Sequence, residues 1–286
     1  MKQRLPTILI LLVMVLIGAM YWLDLSYYTD PITGFITHGP IWARYLLLLL
    51  PALMCILGLR TIGPRAISVL RTRSRGLGGI FAAAGAVGVV YGITQAVVSL
   101  QQPDTFHLIT GILFIWYGVW MGFTAWQMFT QRAPSPTRSA VWGILAAIPF
   151  SLVTVYRILV QPSTLYRVGP LVQAVGALLA MLWFGLLLRS LYIAMPRRRL
   201  RWTYLVGVFT FLFCTCLELP YAVYSMTFSS GTGINLFESI NMAMFGLVAG
   251  CVSVAIAGRS AGPAPQEAEG EKPAAEPKPQ AQEPAL

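Results

Sequence analysis

The chain has 286 residues, 57% of them hydrophobic and only 10% charged, against the roughly 25% charged of soluble domains, which excludes an ordinary soluble fold. The formal net charge of +10 comes from seventeen arginines and three lysines that lie mostly in short loops beside apolar stretches, so no free-standing basic domain is present to hold a nucleic acid. The expected partner is the lipid bilayer, and any chemistry would take place within it or at its edge.

A bilayer core of about 30 Å takes about 20 apolar helical residues, and eight such segments follow one another, over residues 6–23, 41–59, 77–100, 106–129, 139–160, 169–194, 202–226 and 234–257. Backbone groups in lipid must bond internally, and continuous apolar runs without alternation favour helices over a barrel. The pattern predicts an all-α fold, a polytopic membrane helical bundle of eight transmembrane helices over residues 1–260, followed by a disordered cytoplasmic tail over 261–286.

The first segment follows Lys2 and Arg4 as a signal peptide would. Its far end, Tyr21-Trp22-Leu23, is bulky where a cleavage site wants small residues, which reads as a retained anchor. The ends of the segments then fall into two sets. One set carries Lys2, Arg4, Arg60, Arg65, Arg71, Arg73, Arg75, Arg132, Arg138, Arg189, Arg197, Arg198, Arg199, Arg201 and Arg259. The other carries Arg44, Arg157 and Arg167 with Asp24, Asp30 and Asp104. The positive-inside rule then places both termini in the cytoplasm. Trp22 and Trp42 at one boundary, and Trp126, Trp142 and Trp202 at the other, fit interfacial belts. The arginine bias and the lack of an organelle-targeting pattern fit a bacterial plasma membrane.

Small residues four apart let helices approach closely in lipid. Gly88 and Gly92, Gly118 and Gly122, and Gly246 and Gly250 have this spacing, read as contacts within the chain, with a homodimer as the alternative. Pro51, Pro149 and Pro220 fall inside segments and predict kinks. Cys55, Cys214, Cys216 and Cys251 all lie in apolar runs and read as small hydrophobes rather than metal ligands. His38 and His107 lack metal-ligand spacing, and Trp116, Tyr117 and Trp120 read as core and lipid-facing surface rather than as a stacking site. A faint echo between Gln102-Pro103-Asp104-Thr105 and Gln161-Pro162-Ser163-Thr164 hints at a repeated hairpin.

Given a direction for each helix, Gln95, His107, Thr110, Thr154, Arg157, Gln173, Glu218, Tyr221, Glu238 and Asn241 all fall in the outer half of the bilayer. Charges at such depth are costly unless paired or wet, so Arg157, Glu218 and Glu238 are expected to share one cluster. Glu218 and Tyr221, and Glu238 and Asn241, are three apart and project from one helical face. Arg157, Glu218, Tyr221, Glu238 and Asn241 form the candidate site for a small polar ligand, an ion or a proton. The competing structural reading has Arg157 snorkelling to headgroups and the polar groups joining helices.

Two functions follow. One is binding or transport of a small molecule or ion through this outer polar layer. The other is a non-enzymatic scaffold, sensor or assembly partner, using the tail or the arginine-rich loops at 60–76 and 195–201 against anionic lipid or another membrane protein. No HExxH or GxSxG motif occurs, which argues against an enzyme, and no residue pattern calls for a cofactor. The tail, with five glutamates and two lysines, cannot bury enough apolar surface to order itself.

Overall fold

The computed structural model describes residues 5–30, 34–59, 74–101, 104–130, 137, 139–160, 168–192, 197–228 and 233–259. The expected tail and most of the first arginine-rich loop lie outside the described residues. The described elements are helical: α1 (Leu5–Tyr28), α2 (Ile41–Leu59), α3 (Arg75–Gln101), α4 (Thr105–Thr130), α5 (Ala140–Val160), α6 (Val168–Tyr192), α7 (Arg197–Thr210), a π-helical segment (Phe211–Leu217), α8 (Glu218–Phe228) and α9 (Gly233–Arg259). The α7–π–α8 run is one continuous rod. Each expected segment becomes a helix or rod whose ends lie within a few residues of the expectation.

Seven of these are long and apolar enough to cross a membrane. The chain therefore has the character of a multi-pass integral membrane protein. Within α2 the described residues contribute the shorter apolar stretch Ile41–Pro51, so length and hydropathy establish seven spans and leave the eighth to other grounds. Lipid exposure is written on the surface: Leu46, Leu49, Leu50 and Leu53 of α2, and Leu5, Leu9, Leu12 and Leu16 of α1, all point outward.

The helices alternate in direction. Gly85 of α3 meets Gly118 of α4 while Gly92 meets Gly111. Phe114 of α4 packs on Phe150 of α5 and Phe106 on Tyr156. Gly143 of α5 faces Leu188 of α6, and Gly169 and Gly176 of α6 face Tyr221 and Cys214 of the rod. Thr215 of the rod bonds the Ala243 carbonyl of α9, and Ser253 bonds that of Tyr204. All these neighbours are antiparallel. By contrast α1 runs parallel to the rod, with Thr7 beside Tyr204 (3.2 Å) at one end and the Tyr224 hydroxyl on the Thr29 carbonyl (3.2 Å) at the other. Consequently α1 and α3 point the same way.

The glycine spacings serve contacts inside the chain. Gly88 lies against the Tyr117 ring, Gly246 against Thr215 and Gly250 against Phe211, whereas Gly122 faces open space. At mid-bundle, Tyr117, Phe150, Phe184 and Phe245 pack ring to ring, with centroids 4.5 Å apart for Phe150 and Phe245 and 5.0 Å for Tyr117 and Phe150. Tyr117 and Trp120 belong to this core, while Trp116 stands at the side and donates its indole N–H to the Trp142 carbonyl (3.1 Å).

Candidate functional site

Seven residues from Phe150 along α5, and seven from Phe245 along α9, stand Arg157 and Glu238. A helical rise of about 1.5 Å per residue puts both about 10 Å from the aromatic layer. Glu218 reaches the same place because of the rod's irregular middle. Pro220 has no N–H for the Cys216 carbonyl, four residues back, and its ring would strike that carbonyl in a regular α-helix. The chain widens to π geometry instead, and the Glu218 N–H donates to the Phe213 carbonyl five residues back. Single π turns of this kind recur where a side chain must be re-aimed. Gly18 of α1 lies directly on the Cys216 carbonyl, where a side chain would not fit.

Arg157 is the hub. Its Nη2 donates to Glu218 Oε1 at 2.5 Å and to Glu238 Oε1 at 2.8 Å. Nε donates to Glu238 Oε1 at 3.1 Å, and Nη1 to the Gln173 carbonyl of α6 at 2.7 Å. Ser239 adds a hydroxyl 3.4 Å from Glu218 Oε1. The side chains of Arg157 and Glu218 are 2% and 0% exposed, and Glu238 is 24% exposed. One guanidinium thus meets two carboxylates, one sealed and one open at its edge. Burying ions costs several kcal/mol each, recovered only when partners and hydrogen bonds are well placed.

The far oxygen of the sealed carboxylate, Glu218 Oε2, has no hydrogen-bond partner. It lies against Gly176 of α6, where the missing side chain leaves it room. Asn241, one turn further along α9 from Glu238, is fully buried with both its amide atoms unpartnered. Gln95 of α3 has an unpartnered oxygen too. Buried polar atoms are nearly always bonded, so each of these orphans calls for a physical explanation, such as an ordered water, an ion or a proton. Tyr221 goes elsewhere: its ring packs on Gly169 of α6 and it interacts with Tyr21 of α1.

Sequence reasoning missed Tyr91, which lies within electrostatic reach of Glu238, along with Ser239 and Gly176. The signal for Tyr91 is faint. It sits four residues before Gln95, on one face of α3.

Outside the spans, Asp104 caps α4, accepting from the Phe106 and His107 N–H groups at 3.0 and 3.3 Å. The His107 ring lies 2.6 Å from its other oxygen, and this hydrogen bond holds the Asp104 carboxyl below its usual range. Among the described residues no three His, Cys, Asp or Glu side chains gather as metal ligands would. No protein-family model, curated protein or solved structure matches the chain.

Proposed function

We propose that this chain crosses a plasma membrane of bacterial type eight times with both termini cytoplasmic, and that the Arg157, Glu218, Glu238 and Asn241 layer binds a proton or a small hydrogen-bond-donating cation from the outer side. The reading is carried by one observation: two carboxylates share a single buried guanidinium, and Glu218 Oε2 lacks a donor. A second negative charge in a low-dielectric interior needs a counter-charge. The partly exposed Glu238 supplies an entry, and the aromatic layer about 10 Å further in closes the opposite side. Binding from one face therefore fits better than open conduction, and transport would require the aromatic rings to part. Tyr221 belongs to the supporting wall in this reading.

Infrared difference spectra of the purified protein in lipid nanodiscs, recorded between about pH 4 and pH 9, test the proposal. The expected result is a carboxylic-acid carbonyl band that rises with acidification, lost in either Glu218→Gln or Glu238→Gln. Spectra identical in wild type and both variants would overturn it. The cluster would then be a pin joining α5, α6, α8 and α9, as suits a scaffold or assembly partner, and such a scaffold should return from native membranes with a stoichiometric companion protein.

A further inference from the structure

A second set of orphaned polar atoms belongs to α1 and α2, at Tyr21 and Arg44. A cavity of about 440 Å³ opens between α1, α2 and the first turns of α6, within the roughly 300–1,000 Å³ of small-molecule sites. Its walls are mostly aliphatic, from Ile17, Leu48, Val172 and Leu217 among others. At one end Arg44 holds Asp24 through Nε and Nη2, at 2.7 to 2.9 Å. Arg44 Nη1 is left buried and without a partner. The Tyr21 side chain lines the same cavity, 9% exposed, and its hydroxyl has no hydrogen-bond partner.

We infer that this cavity holds the acyl chain of one membrane glycerolipid, with an ester carbonyl accepting hydrogen bonds from Arg44 Nη1 and the Tyr21 hydroxyl. Charge selects the head. Asp24 and Arg44 already neutralise each other, so the two spare donors suit a neutral acceptor better than a second anion. Depth agrees with that selection. Trp42, two residues before Arg44, is exposed as an interfacial tryptophan is, and Trp22 is two residues before Asp24, which puts the ion pair at the boundary where ester groups lie. Access agrees too: α2 packs against α1 and α7 and turns Leu46, Leu49 and Leu50 outward, so a lipid enters sideways from the adjoining leaflet. The cavity shares no lining residue with the Arg157 cluster.

Native mass spectrometry of the full chain decides the matter, with the probes palmitoyl-oleoyl phosphatidylglycerol and its diether analogue, which lacks both carbonyls. One ester lipid should stay on each chain at activation energies that strip the diether, with an apparent affinity roughly tenfold higher. Tyr21→Phe, which keeps shape and packing, should bring the ester lipid several-fold toward the diether. Leu48→Trp, filling the cavity from α2, should abolish the retained lipid, while the folded chain still shows wild-type infrared titration of its carboxyls or, if wild type has none, wild-type thermal stability. Equal retention of ester and diether, or retention unchanged by both variants, would overturn the inference.

Discussion

Arg157 illustrates how much a single residue can be asked to hold. It bridges side chains from α8 and α9 and a carbonyl from α6, so its removal leaves two carboxylates without their shared cation. Breaking a buried ion pair by taking away one partner costs about 3–5 kcal/mol, and Arg157→Met should lose stability of that order in a denaturant titration of the detergent-solubilised protein. Glu218→Gln should lose clearly less, because Arg157 keeps Glu238 and the amide oxygen can still accept. If both variants unfold at the wild-type midpoint, Arg157 is not the hub its geometry describes. That these three charges would meet was legible in the sequence, since charges deep in lipid have few other options. Tyr91 was not, because a tyrosine in an apolar run is ordinary and only the fold brings it near Glu238.

At the scale of helices, small-residue spacing predicted close packing but not which glycines carry it. Gly118 and Gly122 look equivalent in sequence, four apart on α4. A β-carbon on Gly118 would lie 2.5 Å from the Gly85 carbonyl oxygen and 2.7 Å from the Val89 nitrogen, both backbone atoms that cannot swing away. One on Gly122 would meet nothing within 4 Å. Gly118→Ala should therefore push α3 from α4 and cost about 1–3 kcal/mol. Gly122→Ala should be neutral or slightly stabilising, within about 1 kcal/mol, because alanine is the better helix former. Thermal unfolding of the two variants in the same detergent reads the difference, and equal losses would show that α3 and α4 do not meet along this seam. The π segment shows the same limit from another side. Pro220 announces that the α-helix cannot continue unaltered, yet a kink and a widened turn are both lawful responses. The widened turn sits against Gly18 of α1, some two hundred residues away in the chain, a neighbour that the local sequence does not announce.

For the whole molecule, helix direction bears on a count that length and hydropathy leave at seven. On the proposed orientation, Ser74 and Ser139 would be cytoplasmic and Phe35 and Asp104 external, which would need the chain to cross between residues 35 and 74. Side-chain geometry independently supports the same return, because α1 and α3 are parallel and the Asp24–Arg44 pair joins the end of α1 to the start of α2. At about 1.5 Å per residue, the 19 residues of α2 reach about 28 Å, close to the bilayer core. If α2 instead lay along the surface, every later helix would be inverted relative to α1 and the polar layer around Arg157 would face the cytoplasm. Single cysteines at these four positions, probed with a membrane-impermeant maleimide in intact cells, separate the two arrangements. Phe35→Cys and Asp104→Cys should label from outside, and Ser74→Cys and Ser139→Cys only after permeabilisation. Labelling of Phe35→Cys and Ser74→Cys from one side would reduce the crossings to seven and turn the proposed site inward. The probes are placed in a Cys55→Ser background; of the other native cysteines, Cys214 and Cys216 are buried, and Cys251 is partly buried against the bundle core.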